Sequence, residues 1–172
     1  MHLQRVVVTL VAIVAASICS TSATPDTGRG KPTPPPKVCN PRARGPNLEK
    51  QQQEATADFA HIFLELNQVK AAFDRYVPGQ YIQHNPNSQQ GREYAIQVLT
   101  AIRADPTIVT SHITTFSGEG YGGMHYKVIR PATENLTLAI FDYFRFEGTC
   151  IVEHWDVSQR ILGNETNPIA FF

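Results

Sequence analysis

The spacing of apolar positions changes along the chain, from intervals of three and four residues to a period of two. From Leu48 to Phe73 apolar side chains recur at intervals of three, four or seven residues, which predicts one helix face in a region that Pro78-Gly79 ends. Asn47, just before this stretch, is a candidate N-cap. Residues 91–103 predict a second helix with an inward face of Tyr94, Ala95, Val98, Leu99 and Ile102, and Asp105-Pro106 ends it.

From Thr107 onward the pattern alternates between apolar and polar positions, as it does in half-buried strands. Four strands are predicted: around Ile108–Phe116, around Met124–Val128, Leu136–Phe146 and Cys150–Ser158. Helices first and antiparallel strands afterwards indicate an α+β fold rather than alternating α/β units. The two helices are well placed to cover the inner face of such a sheet.

The first residues have the layout of a secretory signal peptide, which we expect to span residues 1–23. Val6–Ile18 is almost wholly apolar, and the small residues up to Ala23 offer a cleavage site. A membrane anchor is the alternative, but the apolar run is shorter than the roughly 20 residues that a spanning helix needs. We therefore expect a secreted protein, soluble once the signal peptide is removed.

A proline-rich arm is predicted over residues 24–46, where prolines exclude helix and regular sheet. Two cysteines remain outside the predicted signal peptide, and in an oxidising compartment we expect Cys39 and Cys150 to form a disulfide. Two unpaired thiols are the alternative. Asn135 and Asn164 each begin an acceptor pattern for N-glycosylation, which matters in a eukaryotic secretory pathway.

Alternate residues of the third predicted strand place a carboxylate in an apolar row: Leu136, Leu138, Ile140, Asp142, Phe144 and Phe146. A buried unpaired carboxylate is costly, so Asp142 is paired, is protonated or lines a cavity. A carboxylate in an apolar pocket suits general acid–base catalysis. The structural alternative is an Asp142 paired to Arg145, Arg130 or a backbone amide.

The fourth predicted strand contributes a second polar pair. In Glu153-His154-Trp155-Asp156 the period of two sends His154 and Asp156 to one face. Asp156 could orient His154, or both could line one wall of a pocket. The alternative is a surface histidine beside a core tryptophan. His125, on the second strand, is a further candidate, but it is equally plausible as a partly exposed strand residue.

Two groups of motifs resemble the SnoaL-like proteins. The first is Tyr81–Pro86 followed by Gly91-Arg92-Glu93, and the second is Phe141–Arg145, then Gly148, then Ile151–Val157. The resemblance covers roughly residues 48–172, so the SnoaL-like domain is assigned to 47–172, and the predicted aldol-condensation enzymes are the most similar group. It implies the nuclear-transport-factor-two-like (NTF2-like) fold, a curved antiparallel sheet wrapped by helices into a cone with a deep pocket.

The sequence departs from the family pattern in two places. The predicted signal peptide and proline-rich arm are additions to the domain. Residues 118–123 form a longer, glycine-rich segment where family members commonly have a Gly-Asp turn. This segment precedes His125 and bears on the shape of the pocket mouth.

The resemblance implies acid–base chemistry on a carbonyl compound without a metal or an organic cofactor. By motif, Asp142 is the candidate acid or base, and His84 and His154 are candidates for polarising an oxygen or moving a proton. Asp156 would orient His154. Further side chains are expected to contact the substrate or shape the pocket: Tyr81, Asn85, Tyr126, Phe144 and Phe146. The expected reaction is an aldol-type cyclisation or an isomerisation.

Two other functions remain open on the sequence. The first is a non-catalytic binding protein for a small hydrophobic ligand, since one fold hosts both enzymes and binders. The second is a zinc site built from His84, His125 and His154, because zinc accepts three histidines. The chain lacks a short ligand spacing among these histidines, and the resemblance implies no metal.

The charge balance and the aromatic residues of the strands indicate which macromolecular partners to expect. Fifteen Lys and Arg residues balance fifteen Asp and Glu residues, so a nucleic-acid partner is not expected. The resemblance implies that members often form dimers. A homodimer is expected here if Phe141, Tyr143 and Trp155 share an exposed sheet face.

Overall fold

The computed structural model describes residues 38–167 and 169–172. The predicted signal peptide and most of the predicted arm lie outside these residues. Three α-helices are described, α1 Leu48–Ala60, α2 Val69–Tyr76 and α3 Arg92–Arg103. The strands in the same part of the chain are β1 Ile82–Gln83, β2 Val109–Gly118, β3 Tyr121–Arg130, β4 Leu136–Glu147 and β5 Cys150–Arg160. None of the helices found in these residues is long and apolar enough to cross a membrane.

The strands form one curved, unclosed sheet in the order β1-β5-β4-β3-β2. Strands β2 to β5 pair antiparallel, as the alternation predicts, whereas the short β1 pairs parallel with β5. The sheet is therefore mixed, and the expectation of a purely antiparallel sheet is corrected at this edge. The α+β cone is confirmed.

The core lies between the helices and the inner face of the sheet. Phe59 of α1 contacts Phe73 of α2 and Phe144 of β4, with ring centroids 5.9 and 5.5 Å apart. All three rings are almost fully buried. Aromatic rings bury large apolar areas and favour tilted contacts of this kind, so this cluster anchors both helices on the sheet.

The first predicted helix is interrupted in the structure. After α1 a π-helical turn, His61–Glu65, widens the backbone, and α2 begins only at Val69. Asn67 lies between them with φ 57°, a conformation that Asn tolerates better than most residues, and its Nδ2 donates to the Arg103 carbonyl at 2.8 Å. Asn47 lies at the predicted N-cap position and its carbonyl accepts from the Gln51 N–H at 3.0 Å, but its side chain makes no capping hydrogen bond.

The glycine-rich segment 118–123 spans the end of β2, the turn and the start of β3, and close packing explains the glycine at position 122. A side chain at Gly122 would place its Cβ 2.5 Å from Thr56 Oγ1 of α1 and 2.8 Å from the Phe146 ring. Only glycine therefore lets α1 lie this close to the sheet. The departure from the family pattern shapes the helix–sheet contact here.

The described end of the arm is fixed to the turn between β4 and β5. The predicted disulfide between Cys39 and Cys150 is present, which confirms the pairing. Next to it, Asn40 N–H donates to Thr149 Oγ1 at 2.8 Å, and Thr149 N–H donates to the Asn40 carbonyl at 3.0 Å. Gly148 has φ 56°, and a Cβ there would lie 2.1 Å from the Asn40 carbonyl oxygen. The arm and the turn are closely fitted.

Candidate functional site

A cavity of about 320 Å³ lies between the helices and the inner face of the sheet. Most of its lining is aromatic or aliphatic. Polar side chains from β4, β5 and the segment around β1 gather in one part of the lining: Gln83, Asn85, Asp142, His154 and Asp156. A few polar groups in an apolar cavity are typical of small-molecule sites.

Asp142 belongs to the inward-facing row of β4, as the alternation predicts, and is 6% exposed. The Tyr126 hydroxyl donates to its Oδ2 at 2.8 Å. Its Oδ1 lies 3.0 Å from His154 Nε2. The alternative with Arg145 does not hold, because that guanidinium turns to the other face and donates to Glu153 at 2.5 Å. The carboxylate is thus held by two side chains that also line the cavity.

The His154 ring is oriented by Gln83. Its Nδ1 lies 2.9 Å from Gln83 Oε1, and the same oxygen accepts a hydrogen bond from the Asn85 backbone N–H at 2.9 Å. The opposite amide orientation would set an NH₂ group against a backbone N–H, so the oxygen must face His154. His154 Nδ1 therefore carries a hydrogen.

This assignment leaves one proton to be placed between His154 and Asp142. Burial, and then the Asp142 charge, raises the pKa of Tyr126 well above its usual range, so the phenol stays protonated and donates. The pair is then either an imidazolium facing a carboxylate or a neutral imidazole facing a carboxylic acid. Moving one proton across the 3.0 Å between Nε2 and Oδ1 interconverts the two forms.

Two aromatic rings hold His154 from its sides. The Tyr81 ring is stacked near it with centroids 6.0 Å apart, and the Phe144 ring lies 5.5 Å away. Tyr81 is itself buried, and burial, followed by the charges of Asp142 and Asp156, raises the pKa of its hydroxyl. The hydroxyl is therefore a hydrogen-bond donor at neutral pH.

Asp156 is held by Asn85 rather than by His154. Asn85 Nδ2 lies 2.8 and 2.7 Å from the two carboxylate oxygens, and Gln83 occupies the orienting position expected for Asp156. One ligand atom each of Asp142, His154 and Asp156 lies within 4.8 Å of the other two, a spacing that would suit a metal ion. Asp142 already bonds to Tyr126, His154 to Gln83 and Asp156 to Asn85, and Asp142 and His154 bond to each other, which fits proton transfer better than metal binding.

The structure does not bring His84 into this cluster. Its Nε2 lies 2.8 Å from Glu153 Oε1 and its ring is stacked on Trp155 at 4.5 Å, on the outer side of β5. Phe146 is buried, but it packs beside Gly122 and is not among the residues that line the cavity. The expected placement of both side chains in the pocket is corrected.

The histidines of the alternative zinc site are also separated. The His125 ring lies 4.8 Å from the Phe172 ring and 6.4 Å from that of Phe141, an outward-facing residue of β4. His84 is likewise outside the cavity, and only His154 lines it. The three imidazoles do not converge on one point.

The sequence interpretation did not assign six polar residues to the cavity lining: Gln83, Asn87, Ser88, Arg103, Arg130 and Ser158. Gln83 orients His154, and Arg103 and Arg130 line the cavity elsewhere. Gln83 lies midway between Tyr81 and Asn85, so alternation along an extended segment puts it on their face. Arg130 continues the inward-facing row of β3, two residues after Val128.

Comparison with known proteins identifies the fold. Neither a family model nor a curated protein matches the chain. A solved NTF2-like protein of unknown function from Mesorhizobium loti is 15% identical, with a TM-score of 0.53 over 68% of this chain and 98% of that chain. A putative polyketide cyclase from Bacillus cereus is also 15% identical, with a TM-score of 0.54 over 75% and 89%.

A second putative polyketide cyclase, from Acidithiobacillus ferrooxidans, is 16% identical, with a TM-score of 0.51 over 63% of this chain and 88% of that chain. At these identities the likeness concerns the backbone fold. The NTF2-like fold implied by the motifs is thereby confirmed, and the chemistry has to be argued from the cavity.

Proposed function

We propose that this NTF2-like protein catalyses acid–base chemistry on a small carbonyl compound without a cofactor, as an aldol-type cyclisation or an isomerisation. The observation that carries this proposal is the hydrogen bond between Asp142 and His154 inside an apolar cavity. Two of the structurally similar proteins are named as putative polyketide cyclases, which supports the same reaction class.

In the first step the Asp142 carboxylate, paired with the His154 imidazolium, takes a proton from the carbon next to the substrate carbonyl. The C–H bond breaks and its electrons move into the enolate. The Tyr81 hydroxyl, kept protonated by its burial, donates to the developing negative oxygen. The apolar lining excludes water, which strengthens these interactions.

In the second step the enolate carbon attacks a further carbonyl of the folded substrate and a C–C bond forms. The alkoxide produced takes the proton held by the Asp142–His154 pair, which returns to its starting state. For an isomerisation the same proton returns to a different carbon. Protons and electrons balance in both cases, so no oxidant, reductant or metal is consumed.

The test follows hydrogen exchange, the simplest reaction that such a base performs. The mature protein is incubated in D₂O with the hydrophobic ketone 4-phenyl-2-butanone, and proton NMR follows deuterium entering the positions next to the carbonyl. We expect Asp142→Asn to slow the exchange by about 100-fold or more, since a positioned base contributes roughly 10²–10⁴.

Glu153→Gln is the matched control, because it removes a carboxylate from the outer side of the neighbouring strand, paired to His84 and Arg145. It should leave the exchange rate unchanged. Exchange by Asp142→Asn at the wild-type rate would falsify the acid–base role. Treatment with EDTA should not change the rate, and a loss that zinc restores would favour the metal alternative.

A binding protein for a small hydrophobic ligand is the second candidate. It is favoured by the cavity itself, whose lining contains seven Phe and Tyr side chains: Phe59, Phe63, Phe73, Tyr81, Tyr94, Tyr126 and Phe144. Such a lining binds apolar molecules whether or not a reaction follows. Binding of the ketone without catalysed exchange in the wild type would favour this function.

We also propose that the protein is secreted and that two copies pair through the outer face of the sheet. The predicted signal peptide and the Cys39–Cys150 disulfide support secretion, because disulfides persist in oxidising compartments. After expression of the full chain in a eukaryotic secretory host, the secreted protein should begin at Thr24. Asn135 and Asn164 are exposed, so glycosidase treatment should lower its mass.

A further inference from the structure

Two arginines line the cavity and have not been given a role in the reaction. Arg103 ends α3, and Arg130 ends the inward-facing row of β3 that contains Tyr126 and Val128. Both guanidinium groups carry a positive charge at any physiological pH. A positive charge facing the apolar part of the cavity needs a negative partner, since a desolvated charge without one is costly.

The other partly buried arginines have such partners. Arg75 bonds to Asp58, Arg92 to Asp74, and Arg145 to Glu153, each within ion-pair distance. In residues 38–167 and 169–172, by contrast, neither Arg103 nor Arg130 has a carboxylate within 4.0 Å. Among the partly buried arginines of the described residues, the two with no carboxylate partner are thus the ones that line the cavity.

The contacts of Arg103 are neutral. Its Nη1 donates to Thr110 Oγ1 at 3.0 Å, and its guanidinium lies over the Phe63 ring at 4.9 Å. Burial lowers the pKa of its guanidinium group, and the nearby Tyr126 hydroxyl and Asp142 carboxylate oppose this only in part. A cation–π contact and one hydroxyl leave most of its five N–H donors available to a ligand.

Arg130 has an unsatisfied donor. Its Nε is buried and, within the described part of the chain, is the one buried side-chain nitrogen or oxygen without a hydrogen-bond partner. An unsatisfied buried donor is rare in native proteins and calls for an explanation. A small rotation of this long side chain would turn the Nε–H toward an acceptor in the cavity.

The two ends of the cavity are therefore chemically different. In the sheet Asp142 is paired with Met124, and Arg130 lies six residues further along β3, about 20 Å at 3.3 Å per residue. Apolar side chains such as Val128, Leu138 and Ile140 lie between them. The matching ligand has one anionic end, an apolar body and a reactive end.

We propose that the cavity takes an apolar carboxylic acid, with its carboxylate on Arg130 and Arg103 and its carbonyl-bearing end at Asp142 and His154. This inference rests on the proposed small-molecule pocket and names the class of ligand. The planar fork of a guanidinium matches a carboxylate with two parallel hydrogen bonds. Because a carboxylate carries a single negative charge, guanidinium groups can bind it without a cluster of backbone N–H groups.

The test compares two probes that differ only in the charged end. Decanoate and 1-decanol are titrated into the mature protein by isothermal titration calorimetry. We expect decanoate to bind at least about ten-fold more tightly, because hydrogen bonds to charged groups are the stronger ones. Equal affinities, or no measurable binding of decanoate, would overturn the proposal.

Four variants assign the effect to residues. Arg130→Gln and Arg103→Gln should each weaken the affinity for decanoate by roughly ten-fold and leave the affinity for decanol unchanged. Arg130→Lys keeps the charge and should lose less of the affinity for decanoate. Arg160→Gln removes an exposed arginine at the end of β5 and should change neither affinity. If Arg160→Gln weakens decanoate as much as Arg130→Gln does, general charge attraction explains the binding and the proposal fails.

A further variant separates this proposal from the proposed reaction. Asp142→Asn should keep the preference for decanoate over decanol, because the carboxylate is bound by the arginines. Failure of the acid–base role therefore leaves the binding result standing. Loss of the preference in Asp142→Asn would overturn the assignment to Arg103 and Arg130. Circular dichroism and thermal melting check that each variant is folded.

Discussion

The side-chain amide of Gln83 decides which nitrogen of His154 carries a hydrogen. Its oxygen accepts from the Asn85 backbone and faces His154 Nδ1, which leaves Nε2 for the proton shared with Asp142. A residue outside the predicted acid–base set thus controls the chemistry of that set. The polar groups act as a chain, in which each hydrogen bond fixes the role of the next.

The tautomer can be measured directly. In long-range ¹H–¹⁵N NMR spectra of histidine-labelled protein we expect His154 Nδ1 to show the chemical shift of a protonated nitrogen. Gln83→Leu removes the acceptor and should shift this signal, whereas Gln53→Leu, outside the cavity lining, should not. An unprotonated Nδ1 in the wild type would contradict the assignment.

Tyr126 predicts how stability depends on alkaline pH. Its burial and the Asp142 charge raise its pKa in the folded protein, whereas an unfolded tyrosine loses its proton near pH 10. Above that pH the unfolded chain binds fewer protons than the native protein, so stability falls as pH rises. The stabilisation is fully present below pH 10.

Urea unfolding at stepped pH measures this slope. Between about pH 10 and 11 the free energy of unfolding should fall more steeply in the wild type than in Tyr126→Phe, by up to about 1.4 kcal/mol per pH unit. Equal slopes in the two proteins would mean that Tyr126 ionises as readily in the folded protein as in the unfolded chain.

At the scale of elements, the turn between β4 and β5 joins the sheet to the arm. Gly148→Ala would push a Cβ against the Asn40 carbonyl, besides adopting φ 56°. We expect a loss of about 2–4 kcal/mol in the free energy of unfolding, from backbone strain and steric overlap together. Urea denaturation measures it.

Gly163→Ala is the matched control, because Gly163 also has a positive φ, 83°, but nothing lies within 4 Å of its Cβ position. Its free energy of unfolding should fall only by the contribution of backbone strain, about 1–2 kcal/mol. Equal losses in the two variants would indicate that the arm yields to the added methyl group.

The long strands could be predicted from the sequence, whereas the short segments could not. Leu136–Phe146 alternates over its whole length, which sets the inward row and brings Asp142 into the cavity. The break at Asn67 was missed because apolar positions keep a helical period on both sides of it. The two-residue β1 is too short to show any period, so its parallel pairing came only from the structure.

The error at His84 has a clear cause. A strict period of two through Tyr81 and Asn85, both placed in the pocket, puts Gln83 inside and His84 outside. The motif resemblance selected the histidine without regard to this alternation. Asp142, whose direction was derived from the strand pattern, lies where it was expected.

At the scale of the whole molecule, the outer face of the sheet carries a row of aromatic side chains. Tyr143 lies 5.1 Å from Tyr121 and 5.5 Å from Trp155, ring centroid to ring centroid, and Trp155 is stacked on His84. Phe141 on the same face is 37% exposed. Aromatic residues on an exposed sheet face favour association with a partner.

The proposed homodimer is tested by light scattering coupled to size exclusion. We expect the wild type to elute with the mass of two chains and Phe141→Arg with the mass of one, because a charge in the contact would be desolvated. Leu162→Arg alters an exposed apolar residue beyond β5 and should leave the mass unchanged. A monomeric wild type would contradict the proposal.

The Cys39–Cys150 bond has a consequence for the order of events during biosynthesis. Its two cysteines are 111 residues apart, so Cys39 is incorporated between about 6 and 22 s before Cys150. Throughout that interval Cys39 is a thiol without its final partner, and the bond forms only once the last strand has emerged. The covalent link therefore forms only after α1 to β4 have been made, and it secures a domain whose helices and long strands are almost all in place.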